Sequence, residues 1–351
     1  MDPYRTDTYD YVLPPELIAQ TPADRRDASR LLVFGDPLAH HTFSELPELL
    51  RPGDLLVAND TRVLRARFLP KRSKGGAAQV LLLHPAAEPG AWEAVVRPGA
   101  RVRPGDKLTL DRDSGIEILA RGDEGTRIVR FYGVTVEEAM LRFGLVPLPP
   151  YIRTAPADAA ERYQTVYAAH DGSVAAPTAG LHFTPALLER LSERGVAWTT
   201  ITLDVGAGTF RPVSVEDLRD HHMHAERYEI GEATARSINE ARREGRRVIA
   251  VGTTAARALE DAARLSTDGR VEPGSRWTDL FISPGFTFNV VDALITNFHL
   301  PRSTLLMLVC AFAGTANVLG AYEEAVRERY RFYSFGDAML LTRRPERTAE
   351  M

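Results

Sequence analysis

Short apolar, β-rich runs punctuated by polar turns fill the chain from about residue 63 to residue 132: VLRARFL, AQVLLLH, WEAVVR, KLTL, IEILA and RIVRFY. Turns containing Gly, Pro or Asp separate them every 8–12 residues. That spacing predicts a small all-β barrel or sandwich. The texture differs on either side. Upstream, a short helical stretch, SELPELL (44–50), ends at Pro52-Gly53, and a buried strand is expected over 54–58 (DLLVA). Downstream, the stiff segment PLPP (147–150) marks a boundary, and strands then alternate with helices. Thr184-Pro185 reads as a helix N-cap with proline at its first position, and Gly195 as the stop. A strand over 198–205, a helix over 232–244, a strand over 247–251 and a helix after Gly252-Thr253-Thr254 follow. Ser303 caps an apolar run, TLLMLVCAFAG, expected to be a buried helix.

Strand–helix alternation argues for a layered α/β domain with parallel strands, interrupted by the β-rich stretch as an insertion. The expected organisation is a discontinuous α/β catalytic domain of residues 1–62 and 147–351, with an inserted β-barrel domain at 63–146. A length of 351 residues suits two domains. The longest apolar run, 305–313, is about half the ~20 residues that span a bilayer, and the first ten residues lack the apolar core of a signal peptide. A cytoplasmic protein with no membrane partner is expected. Cys310 is the single cysteine, which excludes a disulfide framework and multi-cysteine metal sites.

Net charge is −4, but its distribution is uneven. Between residues 62 and 107 lie ten basic residues, among them Arg62, Arg97, Arg101 and Arg103, against three acidic ones. That stretch stands at +7 and the remainder at −11. Such asymmetry points to a polyanion-binding module, with a solvated barrel surface as the equal alternative.

The motifs for P-loop nucleotide binding, zincin proteolysis, α/β-hydrolase chemistry and dinucleotide binding are all absent. Three glycine-containing junctions carry the candidate chemistry instead: APTAGLHF (176–183), DVGAGTF (204–210) and VGTT (251–254). Small residues at the carboxyl ends of strands let the backbone approach a ligand, and a helix start favours a carboxylate or phosphate. HHMHAE (221–226) invites a metal reading. Adjacent His221 and His222 point apart, however, and acid–base or hydrogen-bonding roles for His224 and Glu226 fit better, with no metal expected. His299, in NFHLP (297–301), sits where a loop histidine can transfer protons.

Taken together, several stretches resemble one family, the S-adenosylmethionine:tRNA ribosyltransferase-isomerases of queuosine biosynthesis. They include YDYVLPPELIAQTP (9–22), PGDLLVANDTRV (52–63), SVAAPTAGLHFT (173–184), TLDVGAGTFRPV (202–213), VIAVGTT (248–254), VVDALITNFHLPRSTLLMLVCAFAG (290–314) and YRFYSFGDAMLL (330–341), in order over nearly the whole chain. Asp204, Gln79 and Asn289 depart from the family's usual residues at their positions. The resemblance implies transfer and isomerisation of the ribosyl group of S-adenosylmethionine. The acceptor is 7-aminomethyl-7-deazaguanine at the wobble position of tRNAs with GUN anticodons. Epoxyqueuosine forms, adenine and methionine leave, and S-adenosylmethionine is a consumed substrate with no further cofactor. A monomer is expected.

That chemistry needs a base for the C5′ proton, a donor near the departing adenine and a neutral amine nucleophile. The catalytic candidates are His182, His224, Glu226 and His299. Thr178, Gly180, Phe183, Gly206, Gly208, Thr209, Gly252, Thr253, Thr254 and Phe298 are the S-adenosylmethionine-binding candidates, and Arg62, Arg97, Arg101 and Arg103 those for tRNA. Phe183 and Phe298 are expected to face the sulfonium. Whether 252–254 takes the methionine carboxylate or a tRNA phosphate stays open, as does the identity of the C5′ base. A metal-dependent hydrolase using His221, His224 and Glu226 and a non-catalytic RNA-binding protein are the competing readings.

Overall fold

The computed structural model describes residues 2–73, 75–153, 158–206 and 213–343. Two compact units emerge: residues 1–62, 150–170 and 176–351 form one, and 63–149 with 171–175 the other.

The first unit is built on a mixed sheet of nine strands among the described residues. Leu55–Asn59, every residue buried, is a central strand. Its neighbours Ala197–Leu203 and Val248–Val251 run parallel to it, and Ala293–Asn297 continues the parallel set beyond Val248–Val251. A continuous Leu/Val/Ile run is what a strand covered on both faces requires. The expectation of an all-parallel layer holds only for this centre. Ala338–Thr342 pairs antiparallel with Ala293–Asn297, and Glu226–Ile230 lies antiparallel between Ala197–Leu203 and Gly274–Thr278. Arg30–Val33, parallel to Ala338–Thr342, and Ala39–Thr42 complete the far edge. Helices Thr304–Ala313 and Thr315–Arg327 lie between Ala293–Asn297 and Ala338–Thr342 in the chain, yet that pair is antiparallel.

Helix stops and starts follow their local signals. Thr184 Oγ1 accepts from Leu187 N at 3.1 Å, Pro185 opens helix Pro185–Glu193, and Gly195 at φ 76° ends the turn. Ser303 Oγ accepts from Leu306 N at 3.2 Å and starts the buried helix Thr304–Ala313. The N-terminal segment lies along the chain that leads into the last strand. Ala19 N donates to Phe332 O at 3.1 Å, Phe332 N donates to Leu17 O at 2.8 Å, and the Tyr11 hydroxyl donates to the His299 carbonyl at 2.5 Å.

The second unit carries a seven-stranded antiparallel sheet among the described residues. Alternate residues of its strands, such as Val80 and Leu82 or Val129 and Phe131, enclose an apolar core closed by Ala139 of helix Val136–Phe143. Register shifts at Leu82/His84 and Ile118/Ala120 bend the strands around that core. Arg127 is buried and donates to the carbonyls of Gly99 (2.9 Å), Gly125 (3.0 Å) and Thr126 (2.7 Å), fixing the turn that presents Arg101. Arg97, Arg101 and Arg103 are themselves exposed.

Candidate active site

A cleft opens at the carboxyl ends of the parallel strands of the first unit. This is where open α/β sheets hold their ligands. Strand Val248–Val251 delivers Gly252, whose φ of 94° is open to glycine and strained for other residues, and helix Thr253–Arg264 starts at once. Thr253 and Thr254 therefore reach the cleft wall from the first helical turn, where amide groups lack intrahelical partners. Thr254 Oγ1 is buried and has no hydrogen-bond partner. Strand Ala293–Asn297 delivers Asn297, Phe298 and His299 to the same wall. Thr178, Val205, Tyr151 and Tyr333 add to it. Among the described residues lining the cleft there is no Asp, Glu, Lys or Arg.

Behind the wall runs a buried hydrogen-bond chain with one consistent direction. The Tyr333 carbonyl can only accept, so the Asn297 amide turns Nδ2 toward it at 3.0 Å. The same Nδ2 donates to His182 Nε2 at 3.2 Å. His182 then carries its proton on Nδ1 and donates to Ser29 Oγ at 2.7 Å, and the Ser29 hydroxyl donates to the Arg26 carbonyl at 3.4 Å. Stacked on Phe43 at 4.9 Å and buried, the His182 imidazole is pushed down to about 4 by desolvation, so it stays neutral. Asn297 is 1% exposed, and its Oδ1 is left without a partner.

His299 pairs Nε2 with Thr296 Oγ1 at 2.8 Å, while its backbone N–H donates to the Tyr322 hydroxyl at 3.0 Å. Burial pushes its pKa down to about 3. Nδ1 is the ring position left without a protein partner among the described residues.

The family model described as "Queuosine biosynthesis protein" matches residues 6–341. The chain belongs to that family. It is 54% identical over 340 residues to the S-adenosylmethionine:tRNA ribosyltransferase-isomerase of Heliobacterium modesticaldum, covering 95% of this chain and 98% of that one. The protein of the same name from Geobacter metallireducens is 53% identical over 344 residues, covering 96% and 99%. The crystal structure of the S-adenosylmethionine tRNA ribosyltransferase of Thermotoga maritima is similar at a TM-score of 0.54 and 41% identity, covering 95% of this chain and 99% of that one.

In this member of the queuosine biosynthesis family, the residues singled out in the sequence do not all meet. Thr178, Gly252, Thr253, Thr254, Phe298 and His299 line the cleft. His182 stands behind it, reached through Asn297. Gly180 packs against Tyr167 and Thr165 so closely that a Cβ would overlap both. Phe183 is wholly buried between Phe43 and Trp198, with no face turned to a ligand. Phe298 is buried among Tyr322, Tyr330 and Phe332. Gly206 donates its N–H to Glu226 Oε1 at 2.8 Å, and Glu226 Oε2 pairs with Arg257, a buried guanidinium pushed down to about 10. Glu226 thus holds the 204–206 turn through an ion pair. His224 is exposed on the loop before strand Glu226–Ile230, and His221 packs edge-on to Phe281. Among the described residues no cluster of three or more His, Cys, Asp or Glu side chains has metal-binding geometry. Arg62 donates to the Ala168 carbonyl at 2.7 Å. Gly208 and Thr209 lie outside the described residues.

Of the three departures from the family pattern, Asn289 gives its backbone N–H to Glu260 at 2.7 Å, and Gln79 accepts from Arg67 at 3.3 Å. Burial pushes the Asp204 carboxyl up from its ordinary value. Sequence reasoning missed Asn297, Tyr151, Tyr333, Ser29 and Arg257. A polar residue ending an otherwise apolar strand, ALITN, was the available signal for Asn297.

Proposed function

We propose that the protein is an S-adenosylmethionine:tRNA ribosyltransferase-isomerase. It moves the ribosyl group of S-adenosylmethionine to the aminomethyl group of 7-aminomethyl-7-deazaguanine at the wobble position of tRNAs with GUN anticodons. The sugar is isomerised to the epoxycyclopentanediol of epoxyqueuosine, and adenine and methionine leave. The observation that carries this reading is the match over 95% or more of the chain to relatives of that name.

In this reading the cleft holds S-adenosylmethionine. The start of helix Thr253–Arg264 offers amide donors and the Thr254 hydroxyl to an anionic group of the substrate, the methionine carboxylate. With their imidazoles kept neutral by burial, His182 and His299 serve as hydrogen-bonding groups rather than stored protons. His224, exposed beside the Glu226-braced turn, is the proton-transfer candidate for C5′. The antiparallel-sheet unit takes the tRNA backbone through Arg97, Arg101 and Arg103, with Arg62 just before it in the chain. The protein works as a cytoplasmic monomer, with S-adenosylmethionine as substrate and no separate cofactor.

Incubating labelled S-adenosylmethionine with the protein and tRNA tests this. Adenine release is expected with tRNA carrying the aminomethyl-deazaguanine and not with unmodified tRNA. Equal release from both would overturn the coupling.

A further inference from the structure

We propose that Asn297 Oδ1 is the acceptor for the exocyclic amine of the adenine ring, making Asn297 the residue that selects the base of the nucleoside substrate. The proposal rests on the reading of the cleft as an S-adenosylmethionine site. Three observations carry it. The first is the orphan itself: Oδ1 of a 1%-exposed side chain at the cleft wall has no partner among the described residues, although a buried carbonyl oxygen normally has one. The second is that its direction is enforced. Exchanging Oδ1 and Nδ2 would set two oxygens 3.0 Å apart at the Tyr333 carbonyl and lose the donor to His182. The amide therefore offers an acceptor, never a donor, and only an N–H or O–H can fill it.

The third observation decides which donor. S-adenosylmethionine offers an ammonium, the adenine amine and ribose hydroxyls. The ammonium stays beside its own carboxylate, which this reading seats at the start of helix Thr253–Arg264. A neutral planar base meets instead the aromatic rings of Tyr151 and Tyr333, which lie 4.4 Å apart at 46°. An aromatic-lined pocket with no ionised side chain among the described residues, and with one unfilled acceptor in its wall, fits an aminopurine edge. Ribose hydroxyls both donate and accept and would satisfy an amide in either orientation, so they give no reason for fixing it. His182 and Ser29 are then positioning residues: they hold the amide without touching the base.

The test compares base release, on modified tRNA, from S-adenosylmethionine and from two analogues, one with hydrogen and one with a keto oxygen at purine C6. Wild-type enzyme is expected to lose roughly 10- to 100-fold in kcat/KM on the hydrogen analogue, because Oδ1 is then left unpaired, and more on the keto analogue, where two acceptors meet. Asn297→Leu should lower the S-adenosylmethionine value toward that of the hydrogen analogue and shrink the preference to within about threefold. Asn297→Ser, a smaller polar side chain without the amide oxygen, gives the same readout if Asn297→Leu does not fold. Wild-type enzyme that accepts the hydrogen analogue as well as S-adenosylmethionine would overturn the assignment. So would a folded Asn297 variant that keeps the full preference. Failure of wild-type enzyme to release adenine from S-adenosylmethionine at all would instead overturn the parent reading.

Discussion

Ser29 and His182 are 153 positions apart in sequence, yet Ser29 Oγ lies 2.7 Å from His182 Nδ1 in a buried contact. The Tyr333 carbonyl orients the Asn297 amide, the amide sets the imidazole tautomer, and Ser29 Oγ receives the resulting Nδ1–H. Ser29→Ala removes the acceptor for Nδ1–H and leaves a buried donor unpaired, which costs about 1–3 kcal/mol. The expected result is a lowered urea midpoint, with KM for S-adenosylmethionine raised and kcat little changed. A fall in kcat at constant KM would place Ser29 in the chemistry rather than behind it.

The histidines should separate by environment. His182→Ala is expected to lose stability, through a cavity against Phe43 and a broken bond to Asn297, together with substrate affinity. His224→Ala should fold normally and lower kcat by roughly 10²–10⁴, the usual cost of a lost proton-transfer group. His222→Ala, exposed on the same loop, should stay within a few-fold of wild type. Steady-state kinetics with thermal denaturation ranks the three, and equal effects at His222 and His224 would remove His224 from the mechanism.

Stability should fall with acid over a defined window. His182 and His299 have folded pKa values pushed down to about 4 and about 3, against ~6.5 unfolded. A depressed folded value means the unfolded chain takes up the proton first. The stabilisation is therefore present above pH ~6.5 and is lost as the pH falls toward 4 and 3. At pH 4.5 each histidine accounts for about 2–3 kcal/mol. Urea unfolding between pH 7 and 4.5 measures the slope, and His299→Gln should flatten it in part.

Glu226 and Arg257 are paired in the interior, so removing one partner should be far worse than removing both charges. Arg257→Met leaves a buried carboxylate and is expected to cost about 3–5 kcal/mol. Adding Glu226→Gln, whose Oε1 still accepts from Gly206 N, should recover most of that loss. A double-mutant cycle in urea checks it, and additive effects would refute the pairing.

Charge reversal at Arg101 and Arg103 should weaken tRNA binding and flatten the plot of log K against log salt by roughly 0.7–0.9 per lost phosphate contact. Affinity for S-adenosylmethionine alone should not change. Arg127→Met should act in the same direction through the loosened 99–102 turn, although Arg127 is buried and touches only carbonyls. An unchanged slope would return this surface to plain solvation.

The parts of the fold written in local chemistry were legible in the sequence. Apolar runs gave strands Leu55–Asn59 and Val248–Val251, and Thr184 and Ser303 gave their helix starts because a cap is a contact within three residues. Strand Arg30–Val33 also has an apolar run, LLVF, but its pairing with Ala338–Thr342 some 300 residues later leaves no local mark. The site followed the same rule. Gly252-Thr253-Thr254 and His299 were visible because strand ends and glycines mark them. His182 was visible as a residue but not in its setting, since Ser29 and the Tyr333 carbonyl come from distant segments. Phe183 read as an available ring only until Phe43 and Trp198 covered both sides.

The bonds tying Leu17 and Ala19 to Phe332 have a consequence for synthesis. Leu17 and Ala19 find their partner only after more than 300 further residues have been added, roughly 15–60 s later at ribosomal speed. Until then the Tyr333 carbonyl does not exist to turn the Asn297 amide, and the cleft lacks part of its wall. Chains abandoned before that point should therefore leave the S-adenosylmethionine pool untouched.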